Sequence, residues 1–195
     1  MTASANINPI DLLIGKTVLS RSTGNKAGQV YDLVVDPLKG ELLGLAVQLP
    51  DQSLRLIEME GIYSFGPDAV MIKSDESAVP PEHSSIKGAP FARQHLNGAK
   101  VITEDGKLLG HLASIFIQFA EPPLIVYEVR SSLLDKLLKQ ALFFPASWGS
   151  AISDDAKRVI VPDSTPEKAS HTLDDLAARL SEDKNPMVVV RSHSR

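Results

Sequence analysis

The chain is 195 residues long, 43% hydrophobic and 23% charged, with a formal net charge of -4 at neutral pH. These are the values of an ordinary globular protein, and they leave no overall positive field to draw in nucleic acid or anionic lipid. The absence of cysteine excludes disulfides, thiolate nucleophiles and cysteine metal ligands, and leaves the redox compartment open.

Residues 1–11 read as an N-terminal arm. It has neither the basic start nor the apolar core of a signal peptide, and nowhere does an apolar run approach the roughly 18 residues of a membrane helix. The expectation is a soluble cytoplasmic protein. Lys16 to Ser20 is the first strand, followed by a Gly-, Asn- and Ser-rich turn through Gly28. Gln29 to Gln48 forms a hairpin around Asp36-Pro37-Leu38-Lys39-Gly40, because proline fixes one backbone angle and glycine frees the next. Leu54 to Ile57, Ile62 to Phe65 and Ala69 to Lys73 complete residues 12–74 as a small antiparallel barrel. Ser74 to Gln94, rich in Pro and Ser, is the linker, with domain bounds at 75–94.

The pattern then returns over 95–164. Leu13, Gly15 and Val18 line up with Leu96, Gly98 and Val101. Gly24 and Gly28 line up with Gly106 and Gly110 once a residue is dropped from the turn. Glycines held in place over such a length argue for two copies of one fold. The second copy carries an insertion, Ser131 to Leu142, in which Leu133, Leu134, Leu137, Leu138 and Leu142 fall at helical spacing behind Ser132 and Asp135. Residues 165–195 hold one more helix, capped by Thr172 with a Leu173, Leu176, Ala177, Leu180 stripe. Asn185-Pro186 ends it, and Met187 to Val190 is either an added strand or a docking segment.

With both copies in view the chain resembles the PRC-barrel family. The residues that carry the resemblance are Gly15-Lys16-Thr17-Val18, Gly28-Gln29-Val30, Asp32 to Asp36, Gly40, Leu43 to Val47, Ile62, Phe65-Gly66 and Asp68-Ala69-Val70. The second copy keeps Gly98, Val101, Gly106, Gly110, Phe144-Pro145, Asp155 and Val159, but has Gln118 in place of the strand-ending aspartate, and Lys157-Arg158 lengthens its final turn. The first copy has Glu58 where the family pattern often has proline. The resemblance implies an all-β protein: two six-strand antiparallel β-barrels in tandem, a short helix inserted in the second, and a C-terminal helix. It also implies a protein-binding module, since relatives serve in photosynthetic complexes, ribosome maturation and accessory roles.

Chemistry is sparse in the sequence. None of His83, His95, His111, His171 and His193 stands at helical spacing from another. No catalytic residue, metal ligand or cofactor is therefore assigned. Asp32, Asp36 and Glu41 cluster at the first hairpin, yet no nucleophile or substrate-cradling loop lies near them in sequence. Gly24 to Gly28 precedes a strand instead of a helix and is a turn, not a phosphate loop. Phe143, Phe144 and Trp148 form the densest aromatic group; they either fill the second core or join the leucine face of the insertion as a docking patch. Candidate interface residues are Trp148, Phe143, Leu134, Leu138, Met187 and Val189. The expected function is a non-enzymatic adaptor or assembly factor with a protein partner, acting on a photosynthetic or other membrane-associated complex. The alternative is an accessory factor in RNA processing or ribosome maturation, which the acidic balance disfavours. Homo-oligomerisation is left open.

Overall fold

In the computed structural model, which describes residues 7–120, 122–131 and 141–183, thirteen strands join in one mixed sheet. The first seven are β1 (Ile7–Pro9), β2 (Thr17–Ser20), β3 (Lys26–Asp36), β4 (Glu41–Gln48), β5 (Leu54–Glu58), β6 (Ile62–Phe65) and β7 (Ala69–Ile72). Next come β8 (Lys100–Thr103), β9 (Leu108–Gln118), β10 (Leu124–Arg130), β11 (Leu142–Pro145), β12 (Ala151–Ile152) and β13 (Arg158–Val161). Helices α1 (Thr165–Lys168) and α2 (Leu173–Asp183) close the described chain.

The two halves repeat one pairing scheme. β2 lies antiparallel to β3 and parallel to β7, as β8 lies antiparallel to β9 and parallel to β13. β3-β4-β5 and β9-β10-β11 are matching meanders. Val18 faces Gly28 and Val101 faces Gly110, each with a register shift at the next residue. The backbone angle φ is 137° at Gly28 and 154° at Gly110. A Cβ would stand 2.6 Å from the Gln48 carbonyl oxygen in one case and 2.1 Å from that of Arg130 in the other. Only glycine lets these long strands bend so tightly across their neighbours. Leu33, Leu45, Ile57, Val70 and Ile72 of the first half and Leu112, Ile117, Ile125, Tyr127 and Phe144 of the second belong to one continuous core, all fully buried or nearly so.

The ladders do not trace two separate closed barrels. Among the described residues the path runs from one half into the other through β10 and β4, where Leu124 pairs with Glu41 and the Ile125 N–H donates to the Gly40 carbonyl at 2.9 Å. The halves also exchange their leading segments. β1, placed by sequence in a loose arm, pairs with β9 of the second half, setting Pro9 opposite Phe116. At the matching place in the first half, Phe91 bridges to Val34, and the Val35 N–H donates to the Pro90 carbonyl at 3.1 Å. From Phe91 to Leu96 there is one residue more than from Pro9 to Leu13. A π-helical turn, Ala92–Leu96, takes up the excess where the first half has a 3-10 turn, Ile10–Leu12.

The Pro- and Ser-rich linker is laid along the first half instead of hanging free. Val79 bridges Leu56, as Ser170 bridges Phe143 in the second half. Ile86, Ala89 and Phe91 cover Val34, Ala46 and Leu56. Glu58 pins the segment: its carboxylate accepts from the Ser84 hydroxyl at 2.8 Å, the Ser85 N–H at 2.8 Å and the Ser85 hydroxyl at 2.9 Å. Of the helix expected over Ser131 to Leu142, residues 132–140 lie outside the described residues, and Leu142 is not helical: it opens β11, paired with Val129. In α2 the Thr172 hydroxyl oxygen accepts from the Asp175 N–H at 3.1 Å, and Leu176 and Ala177 are buried. Among the described residues no helix is long and apolar enough to cross a membrane.

Candidate docking cleft

The tip of the β3-β4 hairpin is built by Asp36, whose Oδ1 accepts from the Leu38 N–H at 3.0 Å and the Lys39 N–H at 2.9 Å. This Asx-type turn locks Pro37 and Leu38 in place. The tip rests on the second half, and the Tyr127 hydroxyl, itself buried, donates to the Pro37 carbonyl at 3.5 Å. Burial, with the Asp36 charge adding to it, pushes the Tyr127 phenol well above its ordinary pKa, so it stays a donor.

Beside this contact the halves enclose an open cleft of about 720 Å³. Pro37, Leu38, Leu43, Phe91 and Ile152 give it an apolar lining, and Leu38 is 38% exposed. His95, Ser153 and Asp155 also line it, the residue types of an acyl-transfer site. Their hydrogen bonds do not fit that chemistry. His95 Nδ1 accepts from the Phe91 N–H at 2.8 Å, which leaves the proton of the neutral ring on Nε2. Ser153 Oγ donates to Asp155 Oδ1 at 2.5 Å and accepts from the Arg158 N–H at 3.0 Å. The hydroxyl is thus tied to a carboxylate, and among the described residues no carboxylate orients the imidazole. With Ser153 as its strongest partner and the Lys157 N–H next, Asp155 is held below the usual aspartate range.

The acidic cluster read from the sequence is also dispersed into structural work. Asp32, 2% exposed, accepts from the N–H groups of Leu33 (2.7 Å), Arg93 (3.0 Å) and Gln94 (2.9 Å), and so caps the π-turn. Asp36 builds the hairpin turn, and Glu41 sits at the junction strand. Among the described residues no group of three or more His, Asp or Glu is placed to hold a metal ion.

Of the interface candidates, Phe143 is not available at the surface: it is 9% exposed, packed edge-on to Phe116 and covered by Leu176 of α2. Trp148 is half-buried, stacked on Phe144 with ring centroids 6.0 Å apart. It lines a separate groove with Pro145, Leu176 and Leu180. Leu134, Leu138, Met187 and Val189 lie outside the described residues. Sequence reasoning missed Leu38, Phe91 and Ile152 as a group. An apolar residue inside a turn, Leu38 between Pro37 and Lys39, was the signal available.

Comparison with known proteins gives one family model, the PRC-barrel domain, matching residues 7–79. The match ends at Val79, which returns to pair with Leu56. Among solved structures the chain is similar to a Pseudomonas aeruginosa protein described as a 16S ribosomal RNA processing protein, RimM. The identity is 18%, over 77% of this chain and 95% of that one, with a TM-score of 0.29. No curated protein matches.

Proposed function

We propose that this chain, whose residues 7–79 are a PRC-barrel domain, is a non-enzymatic protein-binding module. In this reading residues 90–170 are a diverged second copy, the two halves share one continuous sheet, and the pair acts as one rigid body. What supports the second copy is the repeated pairing scheme, down to the two bulge glycines and the two returning bridges at Leu56 and Phe143.

The observation that carries the binding role is the cleft between the halves. It is open and mostly apolar, it is framed by a hairpin tip already fixed by hydrogen bonds, and His95, Ser153 and Asp155 along it are hydrogen-bonded within the protein, with Asp154 the further carboxylate of the lining. A surface of that kind suits an apolar segment of a partner at low ordering cost. Neither comparison points to a photosynthetic complex, and that part of the expectation goes no further.

Capture with the tagged chain and with Leu38→Asp tests the reading. A protein partner retained by the parent and lost by the folded variant supports it. Retention of RNA that falls steeply with salt, equally in both chains, would favour the alternative of an accessory role in RNA processing or ribosome maturation.

A further inference from the structure

The outer faces of the two meanders are each covered by the segment that follows, and the two covers are fastened differently. On the first half, Ile86, Ala89 and Phe91 lie over Val34, Ala46 and Leu56. Hydrogen bonds hold that cover at three places: Val79 to Leu56, Ser84 and Ser85 to the Glu58 carboxylate, and the Val35 N–H to the Pro90 carbonyl. On the second half the chain returns at Ser170, whose N–H donates to the Phe143 carbonyl at 2.9 Å and whose carbonyl accepts from the Phe143 N–H at 2.8 Å. Up to this point the segment is seated, with Thr165, Ala169 and Ser170 buried. His171 and Thr172 are then exposed, and beyond them α2 meets Phe116, Val126 and Phe143 through Leu173, Leu176 and Leu180.

We infer that α2 is a hinged lid, which swings off the second half at His171-Thr172 while both halves stay folded and so uncovers Phe116, Val126 and Phe143. Three observations lead there. The helix has little of its own to keep it formed: it is 11 residues long, and its last turn holds no basic residue to meet the negative end of the helix dipole. Its polar side chains serve the C-terminal segment instead of the sheet. Thr172 accepts from the Asp175 N–H, the Ser181 hydroxyl donates to the Ala177 carbonyl at 2.8 Å, and Arg179 Nη1 donates to the Lys168 carbonyl at 2.6 Å. Finally, the helix does not seal against its neighbours. A groove of about 420 Å³ runs between Leu176 and Leu180 on one side and Pro145 and Trp148 on the other, with Glu167, Lys168 and Arg179 completing its lining. A short element held by a few apolar side chains behind an exposed pair of residues is what opens locally in a native protein. No residue of α2 lines the cleft between the halves, so either proposal can fail alone.

The chain has no cysteine, so a single introduced thiol reports on its own site. Ala177→Cys places it on the buried side of α2, Val126→Cys in β10 beneath the lid, and Val47→Cys in the core of the first half. Reaction with iodoacetamide is followed in buffer and in rising urea below the unfolding transition. The thiols at 177 and 126 are expected to react at similar rates, about a hundredfold or more faster than the one at 47, and with little dependence on urea. Adding Thr172→Ala, which removes the helix cap, raises the first two rates by about fivefold and leaves the third unchanged. Hydrogen exchange of the unaltered chain at residues 176–181 reads the same opening should a cysteine variant fail to fold. Reaction at 177 as slow and as urea-dependent as at 47 would overturn the inference. So would fast reaction at 177 with 126 following 47, since the helix would then fray without uncovering the sheet.

Discussion

Glu41 pairs with Leu124, and the two hold the same position in their respective halves, each opposite the last residue of a long strand, Asp36 or Gln118. Equivalent positions meet a second time where Arg93 Nε lies 3.6 Å from Asp11 Oδ1, between the exchanged leading segments. Like meeting like at two places is what a two-fold relation between repeats produces, and it makes the junction resemble the interface of a symmetric dimer.

The junction leaves no room at Gly40. Its φ is 69°, and an added Cβ would stand 2.6 Å from the Ser147 backbone nitrogen. Gly40→Ala combines left-handed strain with a backbone clash between the halves. It is expected to cost about 2 kcal/mol or more, read as a lower urea midpoint with little change in slope.

Asp32 is expected to matter more than any ion pair. Asp32→Ala leaves the Arg93 and Gln94 N–H groups without their acceptor at a buried site. A loss of about 2–4 kcal/mol is expected, with faster hydrogen exchange concentrated at residues 92–96. Uniform exchange across the protein would contradict the capping role.

The Asp11–Arg93 pair, by contrast, should be nearly silent despite its place on the symmetry relation. Its side chains are 72% and 56% exposed. A double-mutant cycle to alanine is expected to give a coupling under about 0.5 kcal/mol. A larger value would show that the contact helps hold the halves together.

Glu58 sets an acid limit on the linker. The Ser84 hydroxyl chiefly, then the Ser85 N–H and hydroxyl, hold its carboxyl below the ordinary glutamate value of 4.5. A folded pKa below the unfolded one stabilises the protein above the unfolded pKa, and that contribution fades as pH falls from there through the folded pKa. Thermal midpoints of the parent should therefore drop across that acid window more steeply than those of Glu58→Gln. Parallel curves would remove Glu58 from the account.

Local features were legible in the sequence and partner choice was not. The Asp36 turn and the Thr172 cap each depend on a few neighbouring residues, so residue type alone points to them, whereas Gly28, read as the end of a turn, lies inside β3 at a bulge. The exchange of leading segments depends on which distant strand has a vacant edge. Ile7-Asn8-Pro9 contains a proline and reads as coil until β9 is in view. Asp32 is similar: nothing nearby in sequence announces that its carboxylate will receive Arg93 and Gln94. Phe143 reads first as core and second as part of a docking patch, and the docking of α2 buries it.

Neither half completes its own sheet, because β1 belongs to β9 and the Pro90-Phe91 segment to β3. Each is finished by a piece of chain that precedes the other. The peptide link between them is then less important than the mutual clasp: a nick at the exposed Lys87-Gly88 would leave two fragments that stay associated. Heating would melt the whole in a single cooperative step, not one half before the other.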